Sequence, residues 1–111
     1  MIVYSKNCNL KLLDRKLQNM CNLMDRLIDE EVIATSGLRS TEHNKEVGGN
    51  PNSSHLKGLA IDIGTPNGKV RYKVIFAALA VGFKRIGIPK EFDHIHLDID
   101  ESKPLPTIFI D

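Results

Sequence analysis

The stretch Ser53-Ser54-His55-Leu56-Lys57-Gly58-Leu59-Ala60-Ile61-Asp62 places an imidazole and a carboxylate seven residues apart, with Gly58 and Ala60 between them. From Leu59 to Ile63 the residues alternate and are mostly apolar, which predicts a strand. Side chains alternate across a strand, so Ala60 and Asp62 share one face. His55 falls in the loop before that strand, and a glycine at 58 lets the loop fold back until the imidazole approaches Asp62. One nitrogen and one oxygen donor then converge, which is half of a zinc site.

The other half lies near the C-terminus, at Asp93-His94-Ile95-His96-Leu97-Asp98. Alternation predicts a strand from His94 to Ile99 with His94, His96 and Asp98 on one face. Asp93 stands at the mouth of that strand, after the Pro89–Phe92 turn, where it is free to curl toward the same cleft. Three protein donors and one open position are the arrangement of a catalytic zinc, whereas structural zinc sites are closed by four ligands and rich in Cys. His55, Asp62 and His96 are therefore the expected ligands of one Zn2+, with Asp93 as general base and His94 lining the site. A plainer reading stays open on these residues alone: paired histidines on an exposed strand arise by chance, and Asp62 also suits an ordinary turn or cap.

Between these segments the pattern is that of a small mixed domain. Leu10, Leu13, Leu17, Met20, Cys21, Met24, Leu27 and Ile28 recur at steps of three and four, predicting one helix from about Asn9 to Glu30 with Asn9 as its N-cap. Val32–Thr35 is β-prone, and a brief helical turn is expected around Glu42 to Val47. Gly48-Gly49-Asn50-Pro51-Asn52 is the strongest turn signal. A second helix, about Lys69 to Val81 and ended by Gly82, is apolar enough to pack flat on a sheet. Phe83–Ile88 reads as a short strand or a connection, and Thr107–Ile110 as an edge segment at most. The connections do not impose alternating βαβ crossovers, so the expected class is α+β, a small and largely antiparallel sheet with two main helices.

Bulk properties exclude more than they assign. At 111 residues, 41% hydrophobic and 26% charged, the chain suits a single domain, residues 1–111. A net charge of +1 offers no electrostatic case for nucleic acid or an anionic membrane, and 5% aromatic content without Trp argues against a base-stacking platform. No apolar segment forms a secretory signal or approaches a span of about 20 residues. The expectation is a monomer synthesised in the cytoplasm. Cys8 and Cys21 form no Cys-x-x-Cys pattern and are expected as reduced thiols, a disulfide needing an oxidising compartment.

The motifs resemble the zinc DD-peptidases, the D-Ala-D-Ala carboxypeptidase and L-Ala-D-Glu endopeptidase group that shares a fold with the Hedgehog signalling domain. Ser53, His55, Gly58, Ala60 and Asp62 fill the family's Ser-x-His-x6-Asp motif, and Asp93-His94-Ile95-His96 its acid three residues before a metal-binding histidine. Ser36-Gly37-Leu38-Arg39-Ser40 and Gly48-Gly49 are similar to its Ser-Gly-x-Arg-Ser segment and Gly-Gly turn. The resemblance spans roughly Leu10 to Asp98. It implies that His55, Asp62 and His96 bind zinc, that Asp93 is the catalytic acid/base, and that Arg39 faces a substrate carbonyl or carboxylate. Ser53 would touch substrate or support the site, and His94 would help stabilise an oxyanion. The implied substrate is a peptidoglycan stem peptide or another short peptide containing D-amino acids. Without an export signal, action on the cell wall would follow release by another protein, as for a phage endolysin. The rival expectations are a non-catalytic zinc-stabilised binding domain and a cytoplasmic dipeptidase acting on free D-Ala-D-Ala.

Overall fold

The computed structural model describes residues 1–111. The chain runs β1 (Ile2–Tyr4), α1 (Arg15–Leu27), β2 (Val32–Ser36), α2 (Thr41–Glu46), β3 (Ala60–Gly64), α3 (Gly68–Val81), β4 (Arg85–Ile88), β5 (His94–Asp98) and β6 (Thr107–Ile110). One six-stranded sheet takes the order β1-β2-β3-β5-β4-β6. Its three inner pairings, β2 with β3, β3 with β5 and β5 with β4, are antiparallel, while the outer strands β1 and β6 pair in parallel. The α+β class with a largely antiparallel sheet is therefore the observed one.

The alternation read from the sequence is what divides the two faces of the sheet. Ile61, Ile63, Ile86, Ile95 and Leu97 are buried in a core with Leu17, Cys21 and Met24 of α1 and Val70, Val74, Ala77 and Ala78 of α3. Full burial of such a side chain contributes roughly 1.5–3 kcal/mol each before the entropic cost. Asp62, His96 and Asp98 are left on the opposite face. The pairing register sets Asp62 directly across from His96, and Gly64 across from His94. Since a slip of one residue would send these groups into the core, the apolar pattern fixes their meeting.

Helix α3 packs through one face only, because Tyr72, Phe76 and Leu79 are exposed. Its end is as expected: Gly82 adopts φ 100°, a left-handed cap. The long first helix is not. Asn9 caps only a 3-10 turn, Leu10–Leu12, after which Leu13 is extended and Asp14 caps α1 through its bond from the Lys16 N–H. The break has a cause, since the Asp14 N–H donates to the Gly58 carbonyl at 2.9 Å and ties this corner to the His55 loop. Strand β1 carried too short a pattern to be noticed; it gains its place from pairing with β2. No helix is long and apolar enough to cross a membrane.

Cys8 and Cys21 are both free and buried. Burial pushes the Cys8 thiol up to about 11 and the Cys21 thiol up to about 12. Neither thiol should therefore react with a disulfide reagent at pH 8 in the folded protein, and both should react in denaturant; stoichiometric labelling of the native chain would contradict this packing.

Candidate metal centre

Each donor of the centre is aimed by local structure. His55 sits in a 3-10 turn, Ser54–Lys57, which Ser53 caps by accepting the His55 N–H on its Oγ at 3.2 Å. Gly58 ends that turn at φ 71°, and a Cβ there would lie 3.2 Å from the Leu12 carbonyl, so both backbone conformation and space call for glycine. The His55 Nδ1–H donates to the Gly37 carbonyl at 2.7 Å, which leaves Nε2 bare and 3.1 Å from Asp62 Oδ1. His96 is held in the mirror sense. Its Nε2–H donates to Asp98 Oδ2 at 2.7 Å, leaving Nδ1 also 3.1 Å from Asp62 Oδ1.

With each outer nitrogen committed to an acceptor, two neutral imidazoles would turn lone pairs on one carboxylate oxygen. Three acceptors facing one another repel unless a positive charge lies among them. One donor atom from each of His55, Asp62 and His96 falls within 4.8 Å of the other two, and all three residues are buried. The donor chemistry, neutral imidazole twice and carboxylate once, fits a borderline cation such as Zn2+, as does the way both histidines are braced from behind.

In the metal-free chain a proton supplies that charge. Burial pushes His96 down, but its hydrogen bonds to Asp62 and Asp98 outweigh this and raise it to about 9. Burial likewise pushes the Asp62 carboxyl up, and the adjoining His55 and His96 hold it well below the usual carboxylate range.

Asp62 divides its oxygens. Oδ1 faces the two imidazoles, and Oδ2 accepts from Arg39 Nη2 at 3.3 Å. Arg39 is held in turn by Ser36 Oγ, 3.1 Å from its Nε, and Asn44 Oδ1, 3.3 Å from its Nη1. The Gly-Gly turn explains itself here. A Cβ at Gly49 would stand 2.1 Å from Asn44 Oδ1, so the turn closes over Asn44 only because residue 49 is glycine. Arg39 thus orients a donor of the centre, a role its sequence context did not suggest, and it also borders the cleft.

The centre opens into a cleft of about 600 Å3 lined by Arg39, Ser53, His55, Asp62, His94 and His96 among others. His94 stands beside the donors, its Nε2 4.0 Å from Asp62 Oδ2. Asp93 is mostly exposed and does not itself line the cleft; its Oδ1 meets His94 Nδ1 at 2.8 Å, so it reaches the site through that ring. Asp98, Arg85 and Phe109 belong to the surroundings of His96 and were not assigned roles from the sequence. Asp98 could have been found, since it shares the strand face of His96; Arg85 and Phe109 arrive by long-range pairing that leaves no local signal.

The Peptidase M15 family model matches residues 3–98. Among solved structures the fold is similar to that of the Serratia marcescens L-Ala D-Glu endopeptidase ChiX, at 18% identity, a TM-score of 0.60 and 90% coverage of each chain. No curated protein matches significantly.

The raised His96 value has a measurable consequence without metal. A group held above its unfolded value of about 6.5 stabilises the fold fully below that pH and loses the contribution as pH climbs through about 9. Denaturant unfolding of the metal-free protein should show stability falling between these limits, by at most about 1.4 kcal/mol per pH unit. A flat or rising profile would remove the proton from His96.

Proposed function

The chain belongs to the Peptidase M15 family, and from that premise we propose that it is a zinc-dependent peptidase that hydrolyses a peptide bond in the stem peptides of bacterial peptidoglycan. The observation that carries the reading is the pair of imidazole nitrogens turned on one oxygen of Asp62, each 3.1 Å away, with no proton of their own to share when neutral. His55, Asp62 and His96 would hold the ion. Bound there, zinc would supply Lewis acidity and lower the pKa of a water toward about 7.

The remaining work falls to the chain's own groups. The Asp93–His94 pair takes the proton of the attacking water, and the hydrogen bond between them stabilises the charge that the imidazole gains. The same pair returns the proton to the leaving amine as the tetrahedral carbon collapses. Arg39 keeps Asp62 turned toward the centre, and Ser53 holds the His55 turn from the cleft wall.

Endopeptidase action is favoured over carboxypeptidase action. A carboxypeptidase needs a free cation for the terminal carboxylate of its substrate, and the three cations lining the cleft are engaged: Arg39 with Ser36, Asn44 and Asp62, Arg85 with Asp98 and the Pro104 carbonyl, and Lys103 with the Asn52 carbonyl and Ser54 Oγ. The structural likeness to an L-Ala D-Glu endopeptidase points the same way. The proposed unit of activity is residues 1–111.

Mass analysis of purified peptidoglycan after digestion is the direct test: new amino termini inside the stem peptide are expected, and release of D-Ala alone would replace the endopeptidase assignment. Asp93→Asn should retain zinc and lose about 100- to 10,000-fold in rate. His55→Ala and His96→Ala should lose the zinc itself in elemental analysis, and full metal content in both variants would refute the ligand set. Because zinc must displace the His96 proton, its apparent affinity should rise with pH up to about 9. Calorimetry in buffers of different ionisation enthalpy reads the released proton.

A further inference from the structure

His96 is braced by a chain of contacts that leaves the centre and ends in the last residues of the protein. Asp98, only 1% exposed, accepts the His96 Nε2–H on Oδ2 and uses Oδ1 for the Arg85 Nε–H at 2.8 Å and the Asp100 N–H at 3.1 Å. Arg85 is buried as well. Its Nη1–H donates to the Pro104 carbonyl at 2.5 Å, and its guanidinium lies 4.7 Å above the Phe109 ring centroid.

Phe109 returns to the site from the other side. Its ring stands edge-on to His96, with centroids 5.9 Å apart. Gly87 lies across from both His96 and Phe109 in the sheet, and a Cβ there would meet the ring at 2.9 Å and His96 Cβ at 3.1 Å. The ring therefore occupies space that only glycine leaves. Pro104 and Phe109 fall after residue 98, where the family match ends.

We propose that Arg85 is a positioning residue for the metal centre: it fixes Asp98 against the outer nitrogen of His96, and is itself fixed by Pro104 and Phe109 of the C-terminal segment. The inference rests on the zinc reading of the centre given above. Its physical content is directional. An imidazole that can rotate presents its lone pair to the ion only part of the time, and a carboxylate that can swing cannot stop that rotation. A guanidinium suits the task because its planar fork serves Asp98 and the Pro104 carbonyl at once while its face lies on an aromatic ring. The ammonium of lysine has neither the plane nor the fork.

The test uses the full chain. Zinc affinity by chelator competition and the visible d–d spectrum of the cobalt-loaded protein are compared among wild type, Arg85→Lys, Phe109→Ala and Val74→Ala. The last variant opens a cavity in the core on the far side of the sheet and lowers stability without touching the brace. Arg85→Lys and Phe109→Ala should each weaken zinc by about 10- to 100-fold and shift the cobalt bands, while Val74→Ala leaves both unchanged. Phe109 is half-buried on an outer strand, so its truncation keeps the fold and the comparison stands even if Arg85→Lys fails to fold. Wild-type affinity and an unshifted spectrum in Phe109→Ala would overturn the proposal. An equal loss in Val74→Ala would overturn it too, by reducing the effect to stability. A wild-type chain that binds no zinc would instead refute the centre itself.

Discussion

A buried carboxylate whose two oxygens face different partners governs this structure. Asp62 lies at the middle of the sheet, nearly inaccessible to water, where an unpaired charge would cost several kcal/mol. Its Oδ2 is satisfied by Arg39 and its Oδ1 by whatever positive charge sits between His55 and His96. Removing either partner would leave a charge stranded. The loop with the Gly-Gly turn, the 3-10 turn and strand β5 are therefore coupled through one residue. Packing alone could hold these segments near one another, but it could not choose which atoms face inward.

The outer partners make that choice. The Gly37 carbonyl and the Asp98 carboxylate each accept a ring N–H, which settles the tautomers of His55 and His96 and points their remaining nitrogens at the same oxygen. The arrangement is asymmetric. His55 leans on a neutral carbonyl and His96 on a carboxylate, and the hydrogen bonds of His96 to Asp62 and Asp98 raise it to about 9 against the effect of burial. The C-terminal segment tightens both sides: Asp100 accepts the Ser54 Oγ–H at 2.7 Å beside His55, while Pro104 and Phe109 stand behind His96.

What could be read from residues alone follows from distance along the chain. The meeting of His55 with Asp62 was legible because Gly58 and a strand period lie between them, and the shared face of His94, His96 and Asp98 because strands alternate. The pairing of those two segments was legible only as a requirement of chemistry, through the need for a third donor. The split of the first helix escaped because its cause is the Gly58 carbonyl, far away in sequence. The resemblance placed Arg39 at the cleft, which it lines, but its bond to Asp62 escaped: a residue in a polar turn gives no sign of a carboxylate far along the chain, or of Asn44 holding it there. Asp93 was expected to reach into the cleft itself. Its link through His94 could not be foreseen, because alternation breaks down at the mouth of a strand.

The fold and the candidate centre are separable. The twenty buried apolar residues of the core sit on the helical side of the sheet and include none of the donors. Where a metal folds a domain, the ligands stand in for a missing core, and the apo chain is disordered. Here the core is complete without the candidate donors. A centre assembled in advance, beside an open cleft and on the face the core does not use, is suited to acting on something brought to it. The same separation explains how residues outside the core, such as Arg39 and Arg85, can be committed to aiming donors rather than to holding the chain together.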